Sequence, residues 1–88
     1  MEKIGKIKEN HNCLIVSLSG DQTYVEIFKI FNNQDKMLIY SLTSGASEIK
    51  HKGVPGEYRV KTDGTIKKLS SIKLDLMSQG DLRIHLLL

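Results

Sequence analysis

The chain's nearest approach to a nucleophile and its base is Cys13 with His11 two positions before it, or with His85 near the other end. A cysteine reacts as the thiolate, which needs a base or a positive neighbour to form. Cys13, however, opens the apolar run Cys13–Ser19 (CLIVSLS), where a small, inert packing residue is the expected role. A metal site would draw on His11, His51, His85 and Cys13. These residues are isolated, with no close pair of the Cys-x-x-Cys or His-x-x-x-His kind. The carboxylates Glu48, Glu57, Asp63, Asp75 and Asp81 fall mainly at turns or at outward strand positions. Acid–base catalysis needs a cleft that sets two carboxyl pKa values apart, and no sequence feature implies one. Gly53-Val54-Pro55-Gly56 and Ser44-Gly45 lack the lysine and helix start of a phosphate loop. The reading is a protein without catalysis, cofactor or metal.

What remains is charge. Lys50, His51 and Lys52 lie together, and Arg59, Lys61, Lys67 and Lys68 occupy neighbouring strand positions that alternation turns outward. They form a candidate basic interaction face for a protein or another acidic surface. The net charge is only +3, from 13 basic and 10 acidic residues, so the excess is mild. Nucleic acid is not the favoured partner, because few aromatics accompany these charges as a base-stacking platform requires. The expected state is a monomer or weak homodimer; Leu87, on the polar side of the tail Leu86–Leu88, is expected to be buried under a loop, the alternative being a self-association edge.

These residues are positioned by a stretch of unbroken alternation, Glu57–Gly64 (EYRVKTDG). Tyr58, Val60 and Thr62 take one side and Glu57, Arg59 and Lys61 the other, the period of a strand with one buried face. Gly53-Val54-Pro55-Gly56 ahead of it breaks any helix, and Asp63-Gly64 after it signals a turn.

The other elements follow in order. Lys3–Glu9 reads as a Lys-rich edge strand, and Cys13–Ser19, apolar on both faces, as a central one. Thr23–Phe31 (TYVEIFKIF) fits a strand by its β-branched and aromatic content, with a bulge near Ile27–Phe28 joining two apolar phases. The alternative is a helix near 21–33 lying on an antiparallel sheet. Asn32–Lys36 reads as a hairpin loop and Met37–Leu42 as the antiparallel return strand, then Ser47–Lys50 as a short strand. Thr65–Leu69 follows the Asp-Gly turn. Ile72–Met77 and Leu82–Leu88 form a final hairpin through a three-residue Ser78-Gln79-Gly80 loop, which pairs Leu76 with Leu82.

Eighty-eight residues suit a single domain, 1–88, at the small end of what an unaided core supports. One cysteine excludes an intramolecular disulfide scaffold. No apolar run approaches the ~20 residues of a membrane-spanning helix. Met1–Asn12 is charged and lacks the apolar centre of a signal peptide. The expected setting is extracytoplasmic if a leader has been removed and cytoplasmic otherwise.

The run Leu14–Leu18, Tyr24–Phe31, an Asn/Asp loop, Leu38–Gly45 and then Gly53-Val-Pro-Gly-Glu-Tyr-Arg-Val-Lys resembles small immunoglobulin-like β-sandwich modules. In these a Pro-Gly-x-Tyr-x-Val motif opens a late strand. They include the sorting domains of type IX secretion and short secreted Bacteroidetes proteins. The resemblance covers about residues 12–69 and implies an all-β, antiparallel sandwich of about seven or eight strands. It also implies a non-catalytic binding or structural module of the cell envelope or outside it. The added hairpin Ile72–Leu88 departs from the pattern and counts against a sorting role in particular. A small phage or mobile-element protein that inhibits a host nucleic-acid machine by surface binding is the alternative.

Overall fold

The computed structural model describes residues 1–32, 34–41 and 45–74. Among them every regular element is a strand: β1 (Glu2–Ile7), β2 (Cys13–Leu18), β3 (Val25–Phe31), β4 (Gln34–Ser41), β5 (Glu48–Lys52), β6 (Gly56–Thr62) and β7 (Ile66–Ile72). They form two antiparallel sheets, one in the order β1-β6-β3-β4 and the other in the order β5-β2-β7. The helix considered for 21–33 does not form. Val25, Ile27, Phe28, Ile30 and Phe31 lose less rotamer freedom on a pleated surface than against a helical turn.

Both sheets contribute to one core. Ile7, Val25, Ile27, Tyr58 and Val60 come from the first sheet, and Leu14, Val16, Leu18 and Ile66 from the second, with Ile49 and Leu69 packed against them. Each is an inward position of its strand, and full burial of such a side chain stabilises the fold by about 1.5–3 kcal/mol. The sheets approach each other closely at Gly5 on β1. A Cβ there would sit 2.8 Å from Leu69 Cδ1 of β7, so the missing side chain is what lets Leu69 reach the opposite sheet.

The alternation of Glu57–Thr62 is realised: Tyr58, Val60 and Thr62 are buried, while Glu57, Arg59 and Lys61 turn outward. β1 is an edge and β2 is central, as their compositions indicate. The register of β3 with β4 shifts between Ile27 and Phe28, but the extra residue is Leu38 on β4, and β3 itself does not make the expected change of phase.

Four further details differ from the sequence reading. The β3–β4 hairpin is tighter than Asn32–Lys36, because Phe31 pairs with Gln34 and Asn32 takes a left-handed φ of 49° that asparagine tolerates. β3 starts at Val25 rather than Thr23, since the Asp63 carboxylate takes the backbone N–H groups of Thr23 (2.9 Å) and Tyr24 (3.4 Å). The Asp63-Gly64 turn does not close a hairpin; it carries the chain from β6 in one sheet to β7 in the other. Ile72 ends β7 instead of opening a new strand, and Lys73 and Leu74 follow outside any strand. There Asn12 fixes the chain, its Oδ1 accepting from Leu74 N at 2.7 Å and its Nδ2 donating to the Leu74 carbonyl at 3.3 Å. The remainder of the expected final hairpin, with its three-residue loop and Leu86–Leu88, lies outside the described residues.

Candidate functional site

The site begins with strand parity. On β3 the inward positions run Val25, Ile27, Lys29, so the third side chain sent between the sheets is a lysine. Lys29 is only 9% exposed. Its partner in register on β6 is Tyr58, itself inward and buried. From the facing sheet, β5 sends His51 inward, because His51 pairs with the core residue Leu14.

The corner between β5 and β6 closes this group. Tyr58 donates its hydroxyl to the Val54 carbonyl at 2.6 Å, tying the strand to the chain four residues upstream. Gly53 packs directly on that hydroxyl, where a Cβ would lie 2.6 Å away. Gly56 adopts φ +142°, a conformation other residues rarely take, and any side chain there would strike the Lys29 ammonium. The result is a cavity of about 400 Å³ lined by Lys29, Phe31, His51, Lys52, Gly53, Val54 and Tyr58.

Its electrostatics are one-sided. The Lys29 ammonium sits 5.0 Å from the Phe31 ring centre and 5.1 Å from that of Tyr58, within the range of cation–π attraction. It donates one hydrogen bond, to the Ile30 carbonyl at 3.3 Å. No carboxylate among the described residues pairs with it. The His51 ring meets Tyr58 edge-on, with centroids 5.8 Å apart. Burial holds the His51 pKa below its ordinary value, so near neutral pH it is an uncharged imidazole. Burial also pushes the Tyr58 phenol up, against the opposing pull of its bond to Val54.

Comparison with protein-family models, curated proteins and solved structures gave no match. The assignment of the site therefore rests on its geometry.

The seven residues of the expected basic face do not share one surface. Lys50, Lys52 and Lys68 lie on the outer face of the three-stranded sheet, at register positions beside Ile15, Cys13 and Ser17. Arg59 and Lys61 lie on the outer face of the other sheet, where they share one carboxylate: that of Glu2 stands 2.7 Å from Arg59 and 4.0 Å from Lys61. Lys67 falls where the β2–β7 register slips, between Lys68 and Ile66. His51 turns inward to the cavity. The outward positions were legible from alternation, but not the sheet to which each strand belongs.

The other candidates are dispersed. Cys13 is fully buried, burial pushes its thiol pKa up, and its Sγ points to the Leu14 carbonyl at 3.7 Å. That is the reverse of an activated thiol. His11 Nδ1 is engaged by Ser71 Oγ at 2.7 Å, and His85 lies outside the described residues. Among the described residues no group of three His, Cys, Asp or Glu could hold a metal ion, and no helix is long and apolar enough to cross a membrane. Asp63 serves structure, accepting from Thr23 Oγ1 at 2.6 Å besides the two backbone bonds. Sequence reasoning passed over Lys29. The signal was present as a lysine in the inward phase Val25-Ile27-Lys29, but it becomes meaningful only when Tyr58 and His51 are known to face it.

Proposed function

We propose that this chain is a non-catalytic binding module of the immunoglobulin-like β-sandwich type, which holds its ligand in the cavity beside Tyr58. Several features support the type. The pairings β2–β5 and β3–β6 correspond to the B–E and C–F pairs of that fold, and β3–β4 to its C–C′ pair. The bond from Tyr58 to Val54 has the form of the tyrosine corner, in which a tyrosine near the start of strand F reaches back to upstream backbone. The outer strands depart from the pattern: β1 lies beside β6 where the family places its last strand, and β7 beside β2 where it places its first. An envelope or secreted setting is supported by the sequence resemblance alone.

The observation that carries the binding reading is the cavity itself, lined by a buried lysine that no carboxylate among the described residues neutralises. Folding gains nothing from leaving such a charge partly unsatisfied, whereas a binding site does. The test is a library of small fragments of mixed charge, titrated into isotope-labelled protein and followed by backbone amide shifts. Binders should move the amides of Lys29, Phe31, residues 51–54 and Tyr58. Shifts confined to the second cavity, of about 320 Å³ between Met1, Glu2, Tyr24, Lys61 and Thr62, would move the site to the other end of the molecule.

A further inference from the structure

We infer that the Tyr58 cavity takes an organic carboxylate with an apolar body, the carboxylate meeting Lys29 and the body lying against Phe31, Val54 and Tyr58. This rests on the binding reading above and deepens it by naming the ligand class.

The charge comes first. An ammonium has three N–H donors, and Lys29 spends one, on the Ile30 carbonyl. The side chain is nine-tenths buried, with no carboxylate partner among the described residues. Two aromatic faces return part of the lost hydration, but they offer the remaining N–H groups no oxygen acceptor. The surroundings are of the same sign. Lys36 is the cross-strand neighbour of Lys29 on β4, and among the described residues no acidic side chain lines the cavity. A cationic guest would be repelled, and a neutral one would leave the ammonium as it is. An anion completes it.

The walls then select among anions. Phe31 is 50% exposed and Val54 is 63% exposed, so two large apolar side chains flank the opening without cover. A bare inorganic anion would make no use of them. Phosphate sites, moreover, gather several backbone N–H groups into a nest or helix start, whereas this cavity offers one ammonium. A monovalent carboxylate matches one lysine, and a short chain or single ring matches the walls. The volume of about 400 Å³ falls within the ~300–1,000 Å³ of small-molecule sites. The same chemistry is offered by a free acid and by the C-terminus of a peptide ending on an apolar residue.

The experiment titrates labelled full-length protein with phenylacetate, hexanoate and N-acetylglycyl-leucine, and in parallel with phenylacetamide and hexanamide. The acids should give saturable shifts at Lys29, Phe31, residues 51–54 and Tyr58. The amides should bind roughly tenfold more weakly, the share of one charge-assisted hydrogen bond. Lys29→Met should abolish the preference for acids while leaving the far-ultraviolet circular dichroism unchanged; should that variant not fold, the acid–amide comparison on the wild type decides alone. Saturation by the free acids only, or by the peptide only, identifies the source. Amides binding as tightly as acids, or acids shifting only the lysines on the outer sheet faces, overturns the carboxylate assignment. Fragments that perturb the cavity when no acid does would leave the binding reading standing without this ligand class. A cavity perturbed by nothing would remove both, and would mean that Lys29 is held by the two aromatic rings for stability alone.

Discussion

The corner that closes the cavity makes a prediction about coupling that a list of separate contacts would not. Gly53 has an ordinary backbone conformation, so alanine there is opposed only by what its Cβ would meet. That is the Tyr58 hydroxyl at 2.6 Å, with Tyr58 Cζ and His51 Nε2 each at 3.4 Å. Real Cβ atoms do not approach an oxygen so closely, so Gly53→Ala must push the hydroxyl off the Val54 carbonyl or shift the corner. The expected cost is about 1–3 kcal/mol of overpacking. Tyr58→Phe removes the hydroxyl and its 2.6 Å bond to Val54, at a net cost of about 1 kcal/mol. For a domain of this size that lowers the melting temperature by about 4–8 °C. The double variant should cost scarcely more than Tyr58→Phe alone, since the obstacle to the alanine is gone. The coupling should therefore be stabilising and about 0.5–3 kcal/mol in size. Urea denaturation of the four proteins, followed by circular dichroism with m-values compared, measures it. Additive costs would refute the corner geometry, and a Tyr58→Phe variant as stable as the wild type would show that the hydroxyl's bond contributes nothing.

Gln22 is buried, with its Oε1 accepting from Gly20 N at 3.2 Å and its Nε2 donating to the Ala46 carbonyl at 2.6 Å. Gln22→Ala should destabilise by about 1–3 kcal/mol for each partner left dry, read from the urea midpoint; a midpoint unmoved would mean that water replaces the side chain. For His51 the folded-state pKa is lowered by burial, so the folded form binds fewer protons than the unfolded one. Its contribution is full above the unfolded value near ~6.5 and is lost as pH falls through the folded value. Melting temperature should accordingly drop on acidification from neutrality, and His51→Gln should flatten that part of the profile. Asp63 has the same sign at lower pH: hydrogen bonds, first from the Thr23 side chain and then from its backbone, lower the carboxyl pKa. Stability should be lost as pH falls through that lowered value, and an Asp63→Ala variant that is as stable as the wild type near pH ~7 would count against the role of the carboxylate.

The strands were readable because each carries its own period. Tyr58-Val60-Thr62 alternates without fault, and Val25-Ile27-Lys29 keeps a single phase, the irregularity opposite it belonging to β4. Pairing was much less readable, since it depends on partners far along the chain. Nothing local in Asp63-Gly64 says whether the chain will fold back beside β6 or cross to the other sheet. The crossing is decided by contacts as distant as Thr23, held by Asp63, and Gln22, against which Gly64 packs. For the same reason the basic residues appeared as one face. Alternation gave the outward direction of Lys50, Lys52, Arg59 and Lys61, but His51 turns inward, and Lys50 and Arg59 belong to opposite sheets. The cavity was hidden because its members, Lys29, His51 and Tyr58, are ordinary individually and acquire meaning only by facing one another.

The pairing of β1 with β6 and of β2 with β7 has a consequence for how the protein is made. As the chain leaves the ribosome, its first two strands emerge long before their partners exist, and β3–β4 is the one ladder that can close locally. Both sheets must wait for residues beyond 56, so folding is a late event in synthesis and rests on loops closed over most of the chain's length, the kind that form slowly. Until β5 is made, Leu14, Ile15 and Val16 lie in an unpaired strand. In that interval Lys3 and Lys6 discourage β1 from pairing with another nascent chain.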